Sequence, residues 1–367
     1  MCDVPASPVP PALAEEIALR HYGVVAAAER LASEFDDTFR LVAADGAGWL
    51  LKIAAQPVAR PAAGPAAGSV AAPGGGDDGE AVGFQTALLL HLAAVAPEVP
   101  AQRVIRTVDG RAEVTVALDG PAGSGRLVRM TSWLDGRMLG PGASSPGLRR
   151  DVGGALARLN LALRGFTHPG AGRTHRWDLQ RFGALRPLLS ELPPTGRGGL
   201  AECLDRFDDV VAPVLADLAT QVIHSDFHGE NLLTDGARVT GILDFGDALT
   251  GPVAMDVGVA ACYQLGVGGV GGPGEDLLAP ALDLVAGYHA VDPLSPAEVP
   301  LVAEFMVARV AARIILSQAH AARDRGNAAY LLRRTPAAIA HFAALRAIGL
   351  DSIRGRLAAA CELEVAS

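Results

Sequence analysis

Gln221-Val222-Ile223-His224-Ser225-Asp226-Phe227-His228-Gly229-Glu230-Asn231-Leu232-Leu233, closing at Ile242-Leu243-Asp244-Phe245-Gly246-Asp247, is the stretch from which the rest of the chain is read. An aspartate five residues before an asparagine, then Asp-Phe-Gly after a short strand, is the spacing of a phosphoryl-transfer loop. In that chemistry the first Asp accepts the proton of an attacking hydroxyl. The Asn and the second Asp hold Mg²⁺ on the nucleotide phosphates. Asp235-Gly236 supplies a tight turn, so Leu232–Thr234 and Val239–Leu243 read as a hairpin. Pairing Thr234 with Ala237 sets Asn231 opposite Thr240 and returns Asp244 level with Phe227, beside Asp226. One extra turn residue would shift this by a position without separating the groups.

A rival reading takes His224-x-Asp226-x-His228 as the metal-ligand cluster of a hydrolase. Such a site needs further ligands from other loops. The remaining candidates, His168, His175, His289, His320 and His341, fall mostly on expected helices without matching spacing. His224 reads better as a structural group hydrogen-bonding backbone near Asp244, and His228 as a loop side chain at the rim of the site.

Composition narrows the class. A length of 367 residues, half of them hydrophobic, allows two domains with a sizeable core built mainly from Ala, Leu and Val. The longest apolar runs, Ala87–Ala96 and Leu301–Ile315, are interrupted by His, Glu or Arg well short of a membrane span. The first residues carry no basic region followed by an apolar run, so a signal peptide is not expected. Cys2, Cys203, Cys262 and Cys361 have no CxxC spacing and read as thiols of a cytoplasmic protein. A net charge of −9 without a long basic run argues against nucleic acid as a partner. Among 31 basic residues Lys52 is the only lysine, which marks it as a place where a compact ammonium is wanted, or as the survivor of a chance bias.

Outward from the central stretch, residues 11–30 carry helical periodicity. Leu31–Val42 and Gly48–Ile53 read as a hairpin about Asp45-Gly46. Pro57–Gly79 is Pro/Ala/Gly-rich and reads as a flexible insertion. A helix is expected over Glu80–Ala96, and strands at Arg103–Arg106, Glu113–Leu118 and Arg126–Thr131. Helical patterns then recur at 147–164, 178–191, 199–220, 275–290, 297–323 and 335–363. The class is therefore α+β, with a small β-rich N-lobe (1–132) and a larger, mainly helical C-lobe (133–367).

These residues resemble the catalytic core of the aminoglycoside phosphotransferase/choline kinase family, which has a protein-kinase-like bilobal fold. Tyr22-Gly23 and Leu31–Arg40 resemble the entry to the nucleotide lobe in its hydroxylysine-kinase-like branch, where a Ser-containing hairpin replaces a glycine-rich loop. Leu163–Pro169 with Arg173 and Trp177-Asp178 resembles that branch too, as does Gly246-Asp247-Ala248 leading to Gly251-Pro252 and Asp256. The resemblance covers roughly residues 20–325. It implies Asp226 as catalytic base, Asn231 and Asp244 as Mg²⁺ ligands, Lys52 as the nucleotide-phosphate lysine, and Asp256 as a buttress of the loop. It implies Glu80 as the partner of Lys52, although a first-turn Glu also suits the helix dipole. Ser33 would touch the β- or γ-phosphate or serve as a turn serine, and Thr131, Trp133 and Leu134 would offer hinge backbone to a nucleobase. The family usually has Gly where this chain has Ser225, and no glycine falls at 33–38.

The expected activity is transfer of the γ-phosphate of ATP or GTP to a hydroxyl of a small amino-alcohol of the hydroxylysine, homoserine, choline or aminoglycoside type. The alternative is a catalytically silent nucleotide-binding module. The expected partners are nucleotide, Mg²⁺ and a small acceptor, with no nucleic acid and no membrane. Glu230, Asp247 and Asp178 would draw a cationic acceptor, and Arg173 or Arg176 a carboxylate; each also suits a solvated surface.

Overall fold

A computed structural model of the chain describes residues 8–33, 36–59, 78–118, 124–140, 144–266 and 276–363, without the side chains of 56–59, 78–81 and 124. Most of the Pro/Ala/Gly-rich insertion lies outside the described residues. The chain divides into two compact units, Met1–Asp135 with His168–Arg173, and Gly136–Thr167 with Thr174–Ser367.

In the first unit α1 (Pro11–Tyr22) ends at Gly23, whose φ of 68° forms a left-handed cap. This corrects the helical periodicity read through residue 30, since Ala27–Leu31 is instead strand β1. It pairs antiparallel with β2 (Asp37–Val42), which pairs with β3 (Gly48–Ala59). After α2 (Asp78–Val95) come β4 (Val104–Ile105), β5 (Val114–Val116) and β6 (Ser124–Ser132). The sheet order is β1-β2-β3-β6-β4, with β5 also on β6. Ile17, Ala18 and Tyr22 of α1 pack on Phe39, Leu41, Leu51, Val128 and Met130, all buried. The alternating apolar residues of three strands and one helix face thus share a single core.

The second unit opens with β7 (Arg137–Met138), α3 (Pro146–Leu163) and α4 (Arg197–Arg206). The helix expected over 178–191 is a 3₁₀ series, Leu179–Glu191, kinked at Arg181 and containing Pro187. The helix expected over 199–220 passes through a π turn and a 3₁₀ turn before β8 (Thr220–Ile223). Next come β9 (Leu232–Thr234), β10 (Val239–Ile242), β11 (Leu249–Pro252) and α5 (Val253–Tyr263). The chain continues with α6 (Ala279–His289), α7 (Glu298–Arg323) and α8 (Ala328–Leu332). Gly349 divides the expected last helix into α9 (Thr335–Ile348) and α10 (Leu350–Ala360). The 26-residue α7 is buried along most of its length and is the axis of this unit.

Two backbone details have measurable consequences. Helices α3 and α6 touch backbone to backbone, since a Cβ on Gly153 would lie 1.9 Å from the Leu284 carbonyl oxygen. Gly153→Ala is therefore expected to cost about 3 kcal/mol in a denaturant titration, because a carbonyl in a packed helix cannot step aside. Ser225 sits at φ 64°, in the left-handed region, with its buried Oγ lacking a hydrogen-bond partner among the described residues. Ser225→Gly is expected to stabilise the protein by about 1 kcal/mol, and a destabilisation of that size would show that the serine is not strained.

Candidate active site

The loop after β8 is fastened from behind. The fully buried Asp256, in the first turn of α5, accepts the backbone N–H groups of His224 (3.3 Å) and Ser225 (2.8 Å). Burial pushes its carboxyl up, and those bonds oppose the push. His224 Nδ1 accepts the N–H of Asp226 (3.3 Å), which leaves the ring proton on Nε2 to donate to the Leu243 carbonyl at 3.0 Å. One imidazole thus ties the loop to the residue before Asp244. His228 repeats the device: its Nδ1 accepts from Glu230 N–H (3.2 Å), so Nε2 donates to Asp226 Oδ2 at 3.1 Å.

Asp226 is held from three sides. Besides His228, Asn231 Nδ2 donates to its carbonyl (2.9 Å) and to Oδ2 (3.0 Å), and Arg309 donates to Oδ1 at 2.6 Å. Burial alone would raise the Asp226 carboxyl. The His228 bond and the surrounding positive charge, that of Arg309 included, outweigh burial and hold it well below the usual carboxylate range.

Arg309 is the residue at this site that sequence reasoning missed. It is 2% exposed, lies over the Trp177 ring (4.7 Å) and the Tyr263 ring (5.5 Å), and also donates to the Tyr263 hydroxyl at 3.1 Å. The signal was present: Arg309 and Arg313 are arginines at i, i+4 inside the apolar run Leu301–Ile315, a pattern that needs buried partners.

The hairpin register differs from the expected one. Val239 pairs with Thr234, Gly241 with Leu233 and Ile242 with Leu232, across a bulge at Thr240. Asp235 Oδ1 accepts the N–H of both Ala237 and Arg238, which widens the two-residue turn to four. Leu243 N–H consequently reaches the Asn231 carbonyl at 2.8 Å, bringing Asp244 level with Glu230, next to Asn231. Asp244 is exposed at φ 55° and accepts Gly246 N–H on Oδ1. Asp247 follows; burial first and then the Asp226 charge raise its carboxyl, against His175 and Arg309.

The chemistry of the donors suits Mg²⁺. Asn231 spends its amide N–H groups on Asp226, which leaves its carbonyl oxygen beside an exposed carboxylate, a hard-oxygen pair that phosphate and water complete. Among the described residues no group of three or more His, Cys, Asp or Glu is arranged to hold a metal. His224 and His228 have both ring nitrogens in hydrogen bonds, so the hydrolase reading loses its ligands.

Other sequence-predicted residues separate. Asp178 is buried and caps the 3₁₀ series, its Oδ1 taking Gln180 N–H, so it does not serve as an acceptor-facing charge. Glu230 pairs with Arg334, and Arg176 contacts His320. Arg173 belongs with the first unit, as do Lys52, Ser33 and Thr131–Leu134. Lys52 stands on β3 between Thr38 and Arg129 in register. The Glu80 side chain lies outside the described residues. Ser33 is exposed after β1, and the next two residues are not described. The hinge reading narrows. Thr131 lies within the ladder between Leu50 and Val104. The N–H groups of Ser132 and Trp133 go to Arg103 (2.8 Å) and Gly48 (3.2 Å), leaving Leu134 as the residue of the four that makes no hydrogen bond among those described.

Comparison with known proteins shows the family and the fold. Hydroxylysine kinase of Mus musculus is 26% identical over 241 residues, 60% of this chain and 60% of that protein. The Danio rerio hydroxylysine kinase is 25% identical over 276 residues, 70% and 74%. The chain thus spans about three-fifths of the mouse protein's length. Among solved structures, amicoumacin kinase in complex with AMP-PNP, Ca²⁺ and amicoumacin superposes with a TM-score of 0.62 at 14% identity, covering 88% of this chain and 92% of that one. That likeness shows the fold, a protein-kinase-like α+β architecture with a β-sheet lobe and a helical lobe. Residues 27–298 match the phosphotransferase enzyme family (APH), and the chain belongs to that family.

Proposed function

We propose that the chain is a small-molecule kinase that transfers the γ-phosphate of ATP or GTP to a hydroxyl of a small amino-alcohol. The observation that carries this is Asp226, kept ionised by Arg309 and His228 and bonded to Asn231, with Asp244 returned to the neighbouring position by the hairpin. The hydroxylysine kinases among the relatives support an acceptor of this size.

In this reading Asp226 accepts a hydrogen bond from the acceptor hydroxyl and aims its oxygen along the line of the γ-phosphorus. A carboxylate held so far below its usual range is a weak base. It therefore orients the hydroxyl first and takes the proton only as the new O–P bond forms and the nucleoside diphosphate departs. Asn231 and Asp244 would hold Mg²⁺, which when bound neutralises the phosphate oxygens. Lys52, partnered by Glu80, would clamp the nucleotide, and Leu134 would present hinge backbone to its base.

Incubation with amino-alcohols and aminoglycosides, with ATP and GTP in parallel and product identified by mass, tests the reading. Asp226→Asn is expected to lower kcat about 10²–10⁴-fold while nucleotide affinity is kept. Wild-type protein that binds nucleotide but phosphorylates no acceptor would favour the silent module. The pH profile tests the electrostatics separately. Asp226 is ionised throughout the acid range of a normal assay, so loss of activity there reports other groups, Asp247 among them, whose carboxyl burial raises. Arg309→Met removes a cation that lowers the carboxyls of both Asp226 and Asp247. The acid limb of kcat/KM is then expected to move to higher pH, with kcat down roughly 10–100-fold. A folded Arg309→Met protein with the wild-type profile would refute that role.

A further inference from the structure

Beside Asp226, wholly within the second unit, lies a cavity of about 770 Å³. Its charged walls are mostly neutralised. Arg149 is paired with Asp283 at 2.7 Å, Glu230 with Arg334, and Asp276 with Arg356. Arg313 is different. It lines the same cavity, half-buried, and meets no carboxylate among the described residues. Its guanidinium lies over the Tyr263 ring at 4.8 Å and against Cys262, whose thiol burial keeps neutral.

The placement is specific. Arg313 is four residues beyond Arg309 on α7, hence about 6 Å along the helix axis from the group that holds Asp226. Tyr263 links the two places: His228, the hydrogen-bond donor to Asp226, stacks on its ring at 4.6 Å, and both arginines lie over it. Arg313, whose guanidinium meets no carboxylate among the described residues, thus stands one helical turn from the residue that holds Asp226. A guanidinium fork with no acid among the described residues to fill it matches a carboxylate and repels an ammonium.

We infer that Arg313 reads a carboxylate at the far end of the acceptor, so that the protein phosphorylates hydroxy acids in preference to acceptors lacking that group. This rests on the kinase reading above and assigns the anion-binding role to Arg313, where the sequence had suggested Arg173 or Arg176.

Acceptor pairs that differ only in the carboxylate decide the matter: L-homoserine against 3-amino-1-propanol, and 5-hydroxylysine against 1,5-diaminopentan-2-ol. The wild type is expected to favour the carboxylate-bearing member of a pair by about 10²-fold or more in kcat/KM. Arg313→Gln should erase that preference through KM, with kcat largely kept and the carboxylate-free members unaffected, while Arg313→Lys retains part of it. Equal turnover of both members by the wild type, or an Arg313→Gln variant whose KM rises alike for both, overturns the assignment and leaves the kinase reading standing. Absence of transfer to every member removes both.

Discussion

Arg309 and Asp226 meet at 2.6 Å in a place where the Trp177 and Tyr263 rings cover the guanidinium faces and exclude water. The acceptor side of the second unit depends on that contact, because Asp226 and Asp247 raise each other's cost of ionisation and the buried cation offsets both. A lysine would not substitute well. A guanidinium can lie against aromatic rings and still donate forward in its own plane, whereas an ammonium needs donors satisfied all round. Such a buried pair is a weak source of net stability, since desolvation consumes most of its attraction. Its value lies in fixing the carboxylate plane, which a loosely solvated aspartate would not keep.

The loop that carries Asp226 owes its shape to a second buried carboxylate. Asp256 collects two successive backbone N–H groups, and this requires the chain to turn through a left-handed residue at 225. His224 uses one ring nitrogen on the loop and the other on Leu243. Asp226 and the end of the β9–β10 hairpin are thereby coupled through one imidazole. The strain at Ser225 is the local cost of a conformation that the surrounding bonds over-determine.

What could be read from the sequence follows from where the forces are local. The loop spacing, the strand-rich first third and the long apolar α7 are written in residue type and periodicity, and were legible. The register of the hairpin was not, because the carboxylate of Asp235 captures two turn N–H groups and a bulge at Thr240 shifts the pairing, effects that a turn dipeptide does not encode. The end of α1 turned on whether Gly23 would adopt a left-handed cap, and apolar periodicity passes over such a residue unchanged. Arg309 escaped for another reason: its partner lies 83 residues earlier, and no local pattern links the two. Asp178 misled in the opposite sense, since a carboxylate near the motif reads as a ligand until its capping bond to Gln180 is seen.

The geometry of α7 makes one helix serve two chemical ends. Side chains at i and i+4 share a face and are held at a fixed separation by the backbone hydrogen bonds between them. Arg309 uses that face to hold Asp226, and Arg313 presents the next turn of the same face to the cavity. Because α7 is buried along most of its length, neither arginine can shift along the axis without moving the core. The spacing between the two backbone positions is therefore set by the helix and not by flexible loops. In the reading proposed above one acceptor would meet both neighbourhoods, and a helix that holds them in register would then contribute to selectivity without any wall built to exclude other molecules.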